Sequence, residues 1–296
     1  MSRIQDILNK AERDGTTRRT RGLSNEGLMS PPPAGSRPQP AAYDPAPPAA
    51  PAWTPAATAA ALDPVQTVAT TMLDSHLVAA LAPQSLAAEQ YRSLRTRIKR
   101  AENGRAVRTI VITSPAKGDG KSLTAANLAL TMAQEFQQRV LLIDADLRRP
   151  AVHRLFGIPG GPGLTDVLMG GAELNQALVN VENHHLTLLP AGAIPNHPAE
   201  LLGSASMRRV LDTLRTRFDR ILIDMPPVAP LADLHIVAPM ADGVLMIVRA
   251  GVTPRPAIER ALAGLDMSKV LGLVLNESGG NSAESTTYQE YGYVAG

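Results

Sequence analysis

Residues 108–130 read RTIVITSPAKGDGKSLTAANLAL. An apolar run, Ile110-Val111-Ile112, gives way to a loop of small residues and then to an Ala-rich helical stretch. The ending Gly120-Lys121-Ser122 is the second half of a phosphate-binding loop. In such a loop backbone N–H groups cradle phosphates, and the dipole of the following helix adds to the attraction. Lys121 would reach the β- and γ-phosphates, and the Ser122 hydroxyl would meet Mg²⁺. Gly118 and Gly120 let the backbone approach the ligand closely. Lys117, Asp119 and Leu123 complete the loop residues assigned to the nucleotide. The strict motif asks for Gly five positions before Gly120, where Pro115 stands. A Gly/Lys-rich surface turn is the plain alternative; the strand before and the helix after favour the phosphate loop.

The same alternation continues outward. Apolar strands are expected at 108–114, 139–146, 186–192, 219–227, 243–250 and 269–278, with helices at about 121–136, 198–217 and 254–266. Strands at this spacing with helical crossovers predict an α/β fold of the P-loop NTPase type, a mostly parallel twisted sheet with helices on both faces. The strands are continuously apolar, as strands covered on both faces are. Two of them, VLLIDAD and ILIDMPP, end in acids. Strand C-termini face the ligand crevice of an open parallel sheet, so Asp144, Asp146 and Asp224 are expected beside the loop. One such carboxylate is often only a turn residue. Three of them fit Mg²⁺ binding and proton transfer. The catalytic set is therefore Lys121, Asp144, Asp146 and Asp224, and the metal set is Ser122, Asp144 and Asp224.

The flanks differ in kind. Residues 1–14 carry Ile4, Ile7, Leu8 and Ala11 at helical spacing, readable as a docking peptide or as a frayed helix with a solvated face. Residues 15–84 read as a disordered Pro/Ala-rich arm, since such composition buries too little to offset ordering entropy. The folded domain is expected over 85–277 and a flexible tail over 278–296. There is no Cys, which removes thiolate chemistry and Cys-based zinc sites. The pair His184-His185 reads as a turn. The formal net charge of +2 gives no argument for a nucleic-acid partner. No apolar run reaches the ~18–20 residues of a membrane span. Tyr288, Tyr291 and Tyr293, three of the five tyrosines, lie in the last nine positions, where burial is least expected.

Together these motifs resemble the bacterial tyrosine kinases, in particular the cytoplasmic kinase subunit of capsule and exopolysaccharide systems. TSPAKGDGKS looks like that family's first phosphate motif, LLIDADLR its second acidic motif, and ILIDMPP its third. EQYRSLR matches its Glu-x-x-Arg-x-x-Arg helix, HPAELL is also similar, and the tyrosine tail is a further likeness. The resemblance implies ATP and Mg²⁺ as cofactors and Asn276 as an adenine contact. It implies Glu89, Arg92 and Arg95 as the interface of a homo-oligomeric ring, by the family's pattern an octamer. Their spacing keeps all three within a third of a helix circumference, though a solvated charged face is the plain alternative. The tail tyrosines would be the autophosphorylation sites. The kinase would be cytoplasmic and held at the inner face of the plasma membrane by a transmembrane polysaccharide co-polymerase-type adaptor, with a tyrosine phosphatase opposing it. The family often has Pro-Gly-Glu where this chain has Lys117-Gly118-Asp119. Two other readings share the fold: a MinD/ParA-like switch ATPase, whose signature Lys position is Ala116 here, and a kinase-inactive nucleotide-dependent assembly scaffold.

Overall fold

The computed structural model describes residues 66–135, 138–228 and 233–277. The chain starts with strand β1 (Gln66–Val68) and helices α1 (Val78–Leu81) and α2 (Leu86–Ala101). Next come β2 (Thr109–Thr113), α3 (Lys121–Ala133) and β3 (Val140–Asp144). Three short helices follow, α4 (Val152–Leu155), α5 (Leu164–Leu168) and α6 (Leu174–Ala177), then β4 (Val179–Val181) and β5 (Leu186–Leu189). The remainder is α7 (Pro198–Leu202), α8 (Ala205–Arg215), β6 (Arg220–Asp224), α9 (Asp233–Val237), β7 (Gly243–Arg249), α10 (Arg255–Ala263) and β8 (Val270–Asn276). The strands make one eight-stranded sheet in the order β1-β4-β5-β3-β6-β2-β7-β8. All neighbours run parallel except the antiparallel pair β4–β5.

Period-two alternation splits the central strands between two cores. Ile110, Ile112, Leu142, Leu222 and Ile247 pack on one face. Val111, Leu141, Ile143, Ile223 and Met246 pack on the other. Each such side chain contributes about 1.5–3 kcal/mol when fully buried. Helix α3 is buried on every side from Thr124 to Ala133, between the sheet and helices α1 and α2. It has no solvated face: even its polar residues Thr124, Asn127 and Thr131 are buried, as in an enclosed helix. Among the described residues, no helix is long and apolar enough to cross a membrane.

Two expectations need correction. The arm was expected to run to residue 84, yet the chain is built into the fold from Gln66 onward. β1 pairs with β4, and Val68, Leu73, Leu77 and Ala79 are buried. Two of the segment's backbone groups are met by the buried Asn127 on α3. Its Oδ1 accepts from the Ala79 N–H at 3.0 Å, and its Nδ2 donates to the His76 carbonyl at 3.0 Å. An apolar segment with a partner for its backbone can order where composition alone reads as linker. Secondly, the single helix expected over 198–217 is two. Ser204 interrupts it and caps α8, its side chain accepting from the Met207 N–H at 3.2 Å. The amphipathic 1–14 segment, the arm up to residue 65 and the tyrosine tail lie outside the described residues.

Candidate active site

The sheet register brings the acidic strand ends to the loop. Ile112 of β2 stands opposite Asp224 of β6, and Asp224 stands opposite Asp144 of β3. β6 thus lies between the strand that enters the phosphate loop and the strand that follows α3. This is the crevice geometry expected at the carboxyl ends of an open sheet.

The loop from Ser114 to Gly120 is held from inside. The Ser114 hydroxyl donates to the Ala116 carbonyl at 2.7 Å, and the Ala116 N–H donates to Asp119 Oδ2 at 2.9 Å. Gly118 and Gly120 adopt φ of +90° and +87°, values that only glycine takes without strain. A Cβ on Gly120 would meet Asn276 Nδ2 at 2.0 Å. Asn276, the last residue of β8, donates from that nitrogen to the Asp119 carbonyl at 3.0 Å. Asn276 therefore touches the phosphate loop itself.

Lys121 opens α3 and points its ammonium into the acidic cluster. Nζ lies 2.8 Å from Asp146 Oδ2, 3.4 Å from Asp224 Oδ1 and 3.0 Å from Ser122 Oγ. Burial pulls its pKa down, but the charges of Asp224 and Asp146 outweigh that and hold the ammonium above its ordinary range. Asp224 is fully buried, which raises its carboxyl despite the neighbouring Lys121. Its Oδ2 is buried with no hydrogen-bond partner. Asp144 is also fully buried and does local work: Oδ2 accepts the N–H groups of Ala151 and Val152, both at 2.9 Å, and Oδ1 accepts that of Asp146 at 3.2 Å. Burial, helped by the Asp224 charge, pushes its carboxyl up to about 7.

Residues 107–262 match the family described as AAA domain. Tyrosine-protein kinase YwqD of Bacillus subtilis (strain 168) is 38% identical over 223 residues, 75% of this chain and 92% of that protein. The chain belongs to the bacterial tyrosine-protein kinases. Among solved structures, the chimerical protein CapA2B2 superposes with a TM-score of 0.65 at 30% identity, covering 72% of this chain and 93% of that one. The kinase domain of the Escherichia coli tyrosine kinase ETK does so with a TM-score of 0.63 at 28% identity, covering 70% and 82%. This kinase is thus a P-loop enzyme that takes ATP as its nucleotide.

The kinase brings Lys121, Ser122, Asp146 and Asp224 together, with Asp144 buried behind a shell of backbone donors. Lys117 lies exposed on the loop. The Asp119 carboxylate turns inward to the loop and to Thr253, so it serves the loop and not the ligand side. The Leu123 side chain packs against the core. Arg148, close to the Asp144–Asp146 pair in sequence, forks onto the buried Asp233 at 2.8 and 3.1 Å. On α2, Glu89 pairs with Arg92 at 2.7 Å, and both Arg92 terminal nitrogens donate to the Pro83 carbonyl at 2.9 and 2.8 Å. Arg95 donates to the Thr131 carbonyl at 2.7 Å and lies 3.7 Å from Glu135. All three α2 residues therefore have partners within their own chain. Asp233, Thr253 and Asn127 carry roles the sequence did not flag. Their partners lie tens of residues away, and only the side chain on α3 had a local cue, a lone Asn in an apolar helix.

Proposed function

We propose that this kinase is an autokinase whose acceptors are its own C-terminal tyrosines, Tyr288, Tyr291 and Tyr293. The observation that supports this most is the cluster of Lys121, Asp146 and Asp224 at adjoining strand ends. It offers a cation for phosphate and a carboxylate for a phenol proton within 3.4 Å of one ammonium. The loop N–H groups and Lys121 bind and orient the polyphosphate of ATP. Asp146, at the edge of the cluster, accepts the proton of the attacking phenol, a group whose pKa of ~10 requires such help. The partnerless Asp224 oxygen and the Ser122 hydroxyl are the groups that fit Mg²⁺. Among the described residues no three His, Cys, Asp or Glu side chains form a metal cluster. The ion would then share phosphate oxygens and water with those two residues, as Mg²⁺ commonly does. When bound it neutralises charge on the transferring phosphate.

The twelve steps from Asn276 to Tyr288 span at most roughly 40 Å, enough to reach a neighbouring subunit. The reaction is accordingly assigned in trans, within a ring closed through the α2 face of Glu89, Arg92 and Arg95. A transmembrane polysaccharide co-polymerase-type adaptor would hold the kinase at the inner face of the plasma membrane. A tyrosine phosphatase would reset the tail, and the cycle would regulate capsule or exopolysaccharide synthesis or export. Each phosphotyrosine adds about −1.5 to −2 charges, enough to change how tails and neighbours associate. Labelled ATP with Mg²⁺ and the adaptor's cytoplasmic segment tests the reading. Label should enter the chain and vanish in both Lys121→Met and the triple Tyr→Phe tail variant. Hydrolysis of ATP without phosphotyrosine would refute it.

A further inference from the structure

The phosphate loop contains an acid at the place where polyphosphate must bind. An unpartnered carboxylate there would repel the ligand. Asp119 is buried, and both of its oxygens are engaged away from the ligand side. Oδ2 accepts the Ala116 N–H at 2.9 Å, within the loop. Oδ1 accepts the Thr253 hydroxyl at 2.7 Å, across 134 positions of sequence. Thr253 lies in the turn between β7 and α10, with its own N–H on the Arg249 carbonyl at 3.0 Å. Its hydroxyl oxygen also accepts the Arg249 N–H at 3.0 Å. A hydroxyl has one proton. With its oxygen already accepting from Arg249, that proton goes to Asp119.

We propose that Thr253 is a positioning residue for nucleotide binding, a latch that fixes Asp119 and through it the Ala116 end of the phosphate loop. The inference rests on ATP binding at this loop. Three elements converge on Asp119: the loop's own Ala116, the β7–α10 turn through Thr253, and the end of β8 through Asn276, which donates to the Asp119 carbonyl at 3.0 Å. The Ala116 peptide is held at its other end by Ser114, whose hydroxyl donates to its carbonyl at 2.7 Å. Without the Thr253 hydroxyl, Asp119 Oδ1 loses its donor in a buried place. The carboxylate then turns toward water and toward the incoming phosphates, releasing the Ala116 N–H. The loop would have to be re-formed each time ATP binds, so the loss falls on affinity and not on the chemical step.

Thr253→Val keeps the shape of the side chain and removes only its hydroxyl. Mg-ATP titration by calorimetry and steady-state kinetics should show Kd and KM for ATP raised about ten- to a hundred-fold, the loss expected for a hydrogen bond to a charged group. At saturating ATP, kcat should stay within about two-fold, because Lys121 and Asp146 are untouched. Thr253→Ser, which restores the hydroxyl, should bring KM back to within about three-fold of wild type. Asp119→Asn, which keeps size but leaves one acceptor oxygen in place of two, should also weaken binding, and it decides the matter should Thr253→Val fold poorly. Unchanged affinity in Thr253→Val, failure of Thr253→Ser to rescue, or tighter ATP binding in Asp119→Asn would each overturn the latch. Wild-type protein that binds no Mg-ATP would overturn the nucleotide reading itself and the latch with it.

Discussion

Replacing Gly120 by Ala perturbs the loop in two separable ways. The backbone there has φ of +87°, which costs a residue with a Cβ roughly 1–2 kcal/mol. The new Cβ would also fall 2.0 Å from Asn276 Nδ2, backed by the rest of the amide at 3.1 Å. Asn276 must swing away, losing its 3.0 Å bond to the Asp119 carbonyl, about 0.5–1.5 kcal/mol. The sum is about 2–3 kcal/mol, or roughly a 30- to 150-fold weaker Kd for Mg-ATP where the loop must hold this conformation to bind. Titration calorimetry on Gly120→Ala, Asn276→Ala and the double variant separates the two parts. The Asn276 bond cannot be lost twice, so the double variant should cost about 1 kcal/mol less than the two single losses added together. Strict additivity, or a Gly120→Ala variant that binds within two-fold of wild type, would refute the reasoning.

Two further variants probe the frame of the site. Asn127→Ala leaves the buried Ala79 N–H without a partner and removes a donor from the carbonyl of the exposed His76. At about 1–3 kcal/mol for the buried orphaned group, the expected loss is about 1–3 kcal/mol. It should be read as a lower denaturation midpoint and as faster amide exchange in residues 66–84; a loss under 1 kcal/mol would contradict the assigned role. Arg148→Ala strips the buried Asp233 of its paired guanidinium. The loss should be about 2–3 kcal/mol in thermal unfolding, and Asp233→Asn added to it should recover part of that. No recovery would show that the carboxylate is not the cause.

The fold and the cluster were legible because their signals are local. The run from Ile110 to Ser122 contains a strand, a loop and a helix start in one stretch, and LLIDAD and ILID end their strands in acids at the tip. What stayed hidden depends on contacts that sequence does not display. β1 is three residues long and follows a Pro/Ala-rich arm, so composition masked a segment secured by its pairing with β4 and by distant side chains such as Asn127 and Gln134. Arg148 sits within LIDADLRRP beside the two acids, but its partner Asp233 lies 85 positions on, after a different strand. Both acids of the DAD motif were placed in the catalytic set, and Asp144 alone of the two in the metal set. Their partners separate them: Asp144 spends both oxygens on backbone donors, while Asp146 accepts the Arg149 N–H with one oxygen and meets Lys121 with the other. The charged helix face was readable as a stripe at i, i+3 and i+6, and the structure shows that these residues also brace α2 against its own chain.

The central claim, transfer of phosphate from one subunit's site to another's tail, has a direct measurement. A full-length Lys121→Met chain, which keeps Tyr288, Tyr291 and Tyr293 but lacks the site cation, is mixed with an active chain ending at Glu277. ATP, Mg²⁺ and the adaptor segment are then added, and phosphotyrosine is read on each chain by mass. Transfer in trans predicts phosphotyrosine on the Lys121→Met chain at its tail tyrosines. An active chain that phosphorylates an added tyrosine peptide while the Lys121→Met chain stays unmodified would contradict it.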